Sequence, residues 1–477
     1  MSVNVYIVGA GPGDSGLMTL RACELLESAE VVIYDRLIGE SILAMIPDDA
    51  IKIDAGKSSG SHTLSQTEIE NLLIKYAKTG KRVIRLKGGD PFLFGRGGEE
   101  AQALINANID FEIVPGVSSA LSVPAFGGIP ATHRDYCSGV NIFTAHDKNN
   151  LIPDFNNTTS IFLMGVNNSE LLQNKLLESG LEGSTPCAVI QDGTTSRQRV
   201  IHSELSSLHD SIIANSIRPP AIIIVGKTAK LNLDWRSKLP LHDKRILITR
   251  PAGRSEYLAR LLRDSGAEVI LMPAIKTQTL KHALDGENIS GYDCAGFTSV
   301  TGVNSFFELL RESGRDIREL GSTKIAAIGS ATGEALRSHG LRVDFIPEIY
   351  DGRHLAEGLI KSGCKNILMF RALEGTPEIN EVFNANEINY HEICIYKIDS
   401  VKLNHVPDSI DIIIFTSAST VRSFCASVKN LREVHAVCIG SQTADEAMKS
   451  GFVNVTIAES ATQNAIFEAV MSLSGRK

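Results

Sequence analysis

The chain has 477 residues, 43% hydrophobic and 21% charged, a soluble globular balance long enough for more than one domain. Its formal net charge of −8 argues against a nucleic-acid partner, and its longest apolar runs, such as Ala221-Ile-Ile-Ile-Val225, are strand-sized and too short to span a membrane. Eight scattered cysteines, none in Cys-x-x-Cys, suggest neither a disulfide framework nor a zinc site, and no metal is expected.

The N-terminus runs straight into a strand pattern with no basic or apolar leader, so a cytoplasmic location is expected. Strand-like runs follow at 3–8, 30–34, 82–86, 111–114, 140–144, 161–164, 187–191 and 222–225. Amphipathic stretches alternate with them, one opening on the capping box Ser65-Gln-Thr-Glu68. This alternation is the α/β signature. The pattern weakens through Lys230–Pro240 and resumes with a strand at Arg245–Thr249, which places a domain boundary near 232–243. The expected layout is one domain at 1–235, a linker at 236–243 and a second domain at 244–477.

The second half repeats itself. Asp293-x3-Phe-Thr-Ser299 with Val303-x-Ser-Phe306 recurs at the same offset as Asp411-x3-Phe-Thr-Ser417 with Val421-x-Ser-Phe424. Ile328-Gly-Ser-x-Thr332 recurs as Ile439-Gly-Ser-x-Thr443, and Arg245-Ile-Leu-x-x-Arg250 echoes Asn366-Ile-Leu-x-x-Arg371. Each unit reads strand, hydroxyl-bearing turn, helix, so the turns should crown the carboxyl ends of parallel strands, where open α/β sheets bind ligands. Two similar Rossmann-like lobes are expected, one at about 244–277 plus 401–477 and the other at about 278–400, with both Ile-Gly-Ser-x-Thr turns facing one cleft.

Two glycine-rich loops stand out in the first half. Gly9-Ala-Gly-Pro-Gly-Asp14 follows a strand but fails the dinucleotide fingerprint, because Asp14 stands where the third glycine belongs. Arg85-Leu-Lys-Gly-Gly-Asp-Pro-Phe-Leu-Phe-Gly-Arg-Gly-Gly-Glu-Glu100 concentrates glycines, acids and bases after a strand, where backbone groups can reach a ligand without side-chain interference.

With Tyr34-Asp-Arg-Leu37, Val114-Pro-Gly-Val117, Gly128-Ile-Pro-Ala-Thr-His-Arg134 and Gln191-Asp-Gly-Thr-Thr195, these loops closely resemble the uroporphyrinogen-III C-methyltransferases of the tetrapyrrole methylase family, over about residues 1–235. The resemblance implies a two-lobed α/β fold, usually a homodimer, that transfers two methyl groups from S-adenosylmethionine to uroporphyrinogen III to give precorrin-2. Cofactor contacts then fall on Pro12, Gly88, Gly89, Asp90, Leu93, Ser118, Ser119, Met164 and Gly193; core packing is the other reading of Met164. Asp35 is implied as proton acceptor and Lys57 as proton donor, the alternatives being a strand cap and a solvated loop lysine. Arg96, His133 and Arg134 suit a substrate with eight carboxylates, or equally scaffold ion pairs.

Residues 241–477 contain no catalytic constellation of their own. Thr249-Arg-Pro251, the paired turns and Glu392-Ile-Cys-Ile-Tyr396 resemble uroporphyrinogen-III synthase, implying cyclisation of hydroxymethylbilane with loss of water. Ser299, Thr332, Ser417 and Thr443 would bind substrate carboxylates, and Tyr396 could donate a proton or be a half-buried packing residue. The rival expectation keeps the methylase fold on another substrate and makes the C-terminal half a non-catalytic ligand sensor.

Overall fold

The computed structural model describes residues 3–475 apart from 48, 57–63, 146–156, 251–254, 376, 404–405 and 408. Among the described residues, the strands form four five-stranded sheets.

The first sheet holds β1 (Val5–Gly9), β2 (Val31–Tyr34), β3 (Ile51–Asp54), β4 (Val83–Lys87) and β5 (Phe111–Val114) in the order β3-β2-β4-β1-β5, all parallel. Its central strands β1 and β4 are buried throughout, as expected of a parallel sheet with both faces covered. The helix Gln66–Ala77 begins with the anticipated reciprocal Ser65–Glu68 capping box. The second sheet holds β6 (Gly139–Thr144), β7 (Thr158–Leu163), β8 (Pro186–Gln191), β9 (Arg199–Glu204) and β10 (Ala221–Val225), ordered β6-β7-β10-β8-β9. Only the β6–β7 pair is parallel there; β10 pairs antiparallel with β7 and β8, and β9 pairs antiparallel with β8.

In the C-terminal half, β11 (Arg245–Ile248) and β12 (Glu268–Leu271) open the third sheet. The chain then builds the fourth from β13 (Ile275–Thr279), β14 (Cys294–Phe297), β15 (Lys324–Ala327), β16 (Asn366–Ala372) and β17 (Asn389–Ser400). It returns to the third with β18 (Ile412–Phe415), β19 (His435–Cys438) and β20 (Val455–Ile457). The orders are β12-β11-β18-β19-β20 and β13-β17-β16-β14-β15. The chain enters the fourth sheet at Ile275, where β13 pairs antiparallel with β17.

The repeated motifs occupy equivalent strands. β11 and β16 carry the Ile-Leu echo; β18 and β14, their direct neighbours, end in the two Phe-Thr-Ser turns; β19 and β15, one strand further, lead into the two Ile-Gly-Ser-x-Thr turns. The equivalence is permuted in the chain, since β11 precedes β18 but β16 follows β14.

The structure corrects the reading of the cysteines: Cys294 and Cys364 are bonded, with Cα atoms 6.2 Å apart. They stand 70 residues apart, Cys294 opening β14 and Cys364 lying two residues before its partner strand β16, so topology joins what spacing hides. The chain forms two compact units, one of residues 1–272, 405–418 and 429–477 and another of residues 273–404 and 419–428. Among the described residues, no helix is long and apolar enough to cross a membrane, and no group of His, Cys, Asp and Glu could hold a metal.

Candidate functional site

Three strand-end loops meet at the carboxyl edge of the first sheet, and only glycine lets them. A Cβ on Gly9 would stand 2.6 Å from Gly116 Cα, and one on Gly116 would stand 2.2 Å from Gly89 O. Gly11 N donates to Gly89 O at 3.2 Å and Gly89 N to Gly11 O at 2.8 Å, extending the sheet past its last strand residues. The Asp90 carboxylate accepts from Phe92 N at 2.9 Å and Gly116 N at 3.0 Å, stapling the loop after β4 to the loop after β5. Ser118 caps the helix Ser119–Phe126 by accepting from Ala120 N.

The second sheet contributes the loop after β8. Asp192 and Thr194 have φ of 49° and 72°, and a Cβ on the intervening Gly193 would lie 2.4 Å from Val123 Cγ1 on the same capped helix. A Cβ on Gly13 would lie 3.8 Å from Thr194 Oγ1, so this loop approaches the first glycine loop. Thr194 is 3% exposed, and its hydroxyl has no hydrogen-bond partner among the described residues. Pro12, Gly88, Gly89, Asp90, Ser118, Ser119 and Gly193 therefore share one loop cluster. Leu93 packs half-buried against the apolar cluster of Ala120, Val123 and Ile190. Met164 is not core: β7 ends at Leu163, and Met164 follows with φ 58° and 46% exposure.

Asp35 sits at the end of β2 and takes part in a buried ionic quartet that sequence reading missed. Its carboxylate pairs with the Arg85 guanidinium and lies 3.8 Å from Lys87 Nζ. Glu100 Oε1 bonds Arg85 Nε and Lys87 Nζ, both at 2.9 Å. Arg85 and Lys87 are i and i+2 on β4, so their side chains share a face of the sheet. Burial, and next the Arg85 charge, push the Lys87 ammonium below its usual range, against the pull of both carboxylates. The signal for this network was two bases alternating inside a strand otherwise apolar, with an acid on the following helix. A plain strand cap does not describe Asp35: two cations hold its carboxylate, yet a third of the side chain remains open to solvent.

Lys57 lies outside the described residues. Arg96 is exposed and pairs with Glu99 at 3.2 Å, an i,i+3 surface pair. His133 Nδ1 accepts from Asp135 N at 3.2 Å, and Arg134 is exposed. Among the described residues, no side-chain hydrogen bond or ion pair joins these three to the loop cluster.

In the fourth sheet, the structure brings together two residues chosen separately from the sequence. Ser299 Oγ and Tyr396 Oη are 2.9 Å apart, and Ser299 Oγ also accepts from Gly302 N to cap the helix Val300–Glu312. The pairing of β16 with β17 shifts register between Arg371 and Ala372, which aligns Ala372 with Tyr396 and passes over Ile395. Tyr396 is 6% exposed within the Phe297–Phe306–Phe370 core, so its ring packs while its hydroxyl is hydrogen-bonded. Thr332 and Thr443 stand third in their helices and are each 4% exposed; the exposed hydroxyls of those turns are Ser330 and Ser441. Ser417 is half-buried at the end of β18.

A family profile described as Tetrapyrrole (Corrin/Porphyrin) Methylases matches residues 4–209, and one described as Uroporphyrinogen-III synthase HemD matches 256–468. The Porphyrin biosynthesis protein HemD of Ruminiclostridium josui is 41% identical over 99% of this chain and 98% of its own length. The siroheme synthase of Nitrosomonas eutropha is 48% identical over 239 residues, and the chain spans 50% of that protein. Among solved structures, the uroporphyrin-III C-methyl transferase of Thermus thermophilus complexed with S-adenyl homocysteine is 37% identical, with a TM-score of 0.42. It covers 48% of this chain and 99% of its own. Uroporphyrinogen-III synthetase from Helicobacter pylori is 21% identical, with a TM-score of 0.37, over 48% and 99%.

Proposed function

The chain belongs to the family of the porphyrin biosynthesis protein HemD, a bifunctional tetrapyrrole-biosynthesis enzyme with a methylase region before a synthase region, and we propose that it makes uroporphyrinogen III from hydroxymethylbilane and methylates it twice to precorrin-2. The observation that supports the methylation part of this reading is the convergence of the loops around Gly9, Gly89, Gly116 and Gly193, where a Cβ would clash at Gly9, Gly116 and Gly193 and the positive φ of Gly89 disfavours one there.

Such a cluster fits S-adenosylmethionine. The amides of Gly11, Gly89 and Gly116 are paired within the cluster and fix its shape, and the orphaned Thr194 hydroxyl beside them is left for a ligand. The bound cofactor supplies an electrophilic methyl group on sulfonium. Asp90 holds two loops in place through Phe92 N and Gly116 N, while Gly88, whose Cβ would meet nothing within 4 Å, leaves room above the β4 loop. Carbon methylation of the macrocycle must be followed by loss of a ring proton. Asp35, part-exposed and held by Arg85 and Lys87, is oriented to accept it at Oδ, with Lys57 proposed as the donor elsewhere on the ring. Arg96, His133 and Arg134 are proposed contacts for substrate carboxylates.

In the synthase region, Tyr396 is the proposed acid for the departing hydroxyl, with Ser299 fixing its phenol; Ser417 and the turns bearing Thr332 and Thr443 are proposed to bind carboxylates. The substrate supplies most of the ring-closing reactivity, so the protein's task is to hold one conformation. The proposal extends to a homodimer, for which sedimentation as a monomer would be the contrary result.

Hydroxymethylbilane supplied with S-adenosylmethionine should yield precorrin-2 and two equivalents of S-adenosylhomocysteine. Hydroxymethylbilane alone should yield the type III isomer. Methylation of added uroporphyrinogen III without any cyclisation would reduce the C-terminal half to a sensor.

A further inference from the structure

The cofactor loops are not supported by the methylase region alone. Glu268, the first residue of β12 in the synthase region, accepts from Ser196 N at 3.0 Å and Ser196 Oγ at 2.7 Å. Ser196 directly follows Gln191-Asp-Gly-Thr-Thr195, the loop that carries Gly193. The other Glu268 oxygen pairs with Arg245 Nε at 2.9 Å, and Arg245 Nη2 reaches Glu40 Oε2 at 2.6 Å. Both side chains of this second link are sheltered, Arg245 at 9% exposure and Glu268 at 18%.

Glu40 in turn sits beside the other cofactor loop. It follows Gly39, where a Cβ would stand 2.1 Å from Gly13 O, and Ser41 Oγ donates to the same carbonyl at 3.4 Å. A further link runs from Arg263, on the synthase helix Glu256–Asp264, to Ser15 Oγ at 3.4 Å. On the connecting segment, Arg236 donates to Thr195 O at 3.4 Å and stacks over Phe126 at 4.9 Å. Burial lowers both guanidiniums, and Asp14 of the glycine loop opposes that shift in each.

We infer that Glu268 is a positioning residue for methyl-donor binding: the synthase region, through Glu268–Ser196 and Arg245–Glu40, holds the two facing cofactor loops of the methylase region at their working separation. The loops around Gly13 and Gly193 belong to different sheets, so nothing in either sheet's own ladder sets the distance between them. Two carboxylates bridged by one buried arginine do so from outside. The consequence is that affinity for the methyl donor depends on a residue far along the chain that touches no cofactor.

This inference rests on the cofactor reading of the loops, and the test separates the two. S-adenosylhomocysteine is titrated calorimetrically into the full chain, parent and variants, with hydroxymethylbilane cyclisation measured on the same samples. Glu268→Ala should weaken binding about fivefold or more, the low end of coupling between distinct sites, with cyclisation retained. Glu268→Gln keeps an acceptor for Ser196 and should recover most of the affinity; a glutamine variant as weak as the alanine variant would point to general loosening and overturn the inference. If Glu268→Ala fails to fold, Ser196→Ala answers from the other side, and an unchanged dissociation constant there overturns the inference. Unchanged binding in Glu268→Ala does the same while leaving the methylase reading intact. A parent chain that binds no S-adenosylhomocysteine would remove both.

Discussion

Replacing Gly116 with alanine puts a methyl group where three loops touch. The new carbon would stand 2.2 Å from Gly89 O and 2.8 Å from Gly9 Cα, against an ordinary contact beginning at 3.4 Å. Both neighbours are backbone and cannot rotate away, so the Gly89 carbonyl must retreat by about an ångström, and a misplacement of that size can cost about 10²-fold in rate. The Gly116 N–Asp90 bond would be disturbed as well, and a charge-assisted bond of this kind contributes about 1.5–3 kcal/mol. General overpacking adds about 1–3 kcal/mol of lost stability. Gly98→Ala is the matched control: its Cβ meets nothing within 4 Å. On the helix Gly97–Asn106, alanine is favoured over glycine by roughly 0.5–1 kcal/mol. Calorimetry with S-adenosylhomocysteine, a methylation assay and denaturant unfolding separate loss of site from loss of fold. A Gly116→Ala chain that folds, binds and methylates like its parent would refute the claim that these glycines shape the site.

Three further outcomes are expected. Asp35→Asn should keep cofactor binding and lose about 10²–10⁴-fold in methylation, the usual range for a general base; a parent-like rate would return Asp35 to a purely structural role. Tyr396→Phe keeps the packed ring and loses the Ser299 hydrogen bond, so cyclisation should slow and the type I fraction should rise; chromatography showing an unchanged rate and isomer ratio would end that assignment. Burial pushes the thiols of Cys187 and Cys438 from the usual 9.0 up to about 12. Groups raised in the folded state contribute stability that is intact below pH 9 and lost as pH climbs from 9 towards 12; denaturation midpoints that do not fall over that window would contradict it.

Much of the architecture could be read from pattern, because buried parallel strands such as Val5–Gly9 and Val83–Lys87 leave continuous apolar runs and their helices carry explicit caps. In the first half, the strands that pattern does not reveal, Ile51–Asp54 and Arg199–Glu204, lie at sheet edges with half-exposed residues, so their alternation is diluted by charge. Met164 illustrates a different failure: strand-like sequence continued past the point where the backbone turned left-handed. The glycine loops of the candidate site were visible because glycine is informative at a close approach. Arg85, Lys87 and Glu100 were not, since ionic side chains read as surface unless their partners are known. Glu268 is the extreme case, its partner Ser196 being 72 residues away in another region.

Strand β4 serves two purposes at once. Its carboxyl end delivers Gly88, Gly89 and Asp90, while its alternate side chains, Arg85 and Lys87, grip Asp35 on the neighbouring strand. In the paired register Ile33 stands opposite Arg85 and Tyr34 opposite Leu86. A slip of one residue would turn both cations to the other face of the sheet, where Ile84 and Leu86 pack in an apolar cluster, and would carry the glycine loop along the sheet edge by one position. If the β4 loop binds the methyl donor and Asp35 accepts the proton, as proposed, the two functions succeed or fail together during folding. A misregistered chain should be silent in both, so the fraction of molecules that bind S-adenosylhomocysteine would count correctly zipped sheets.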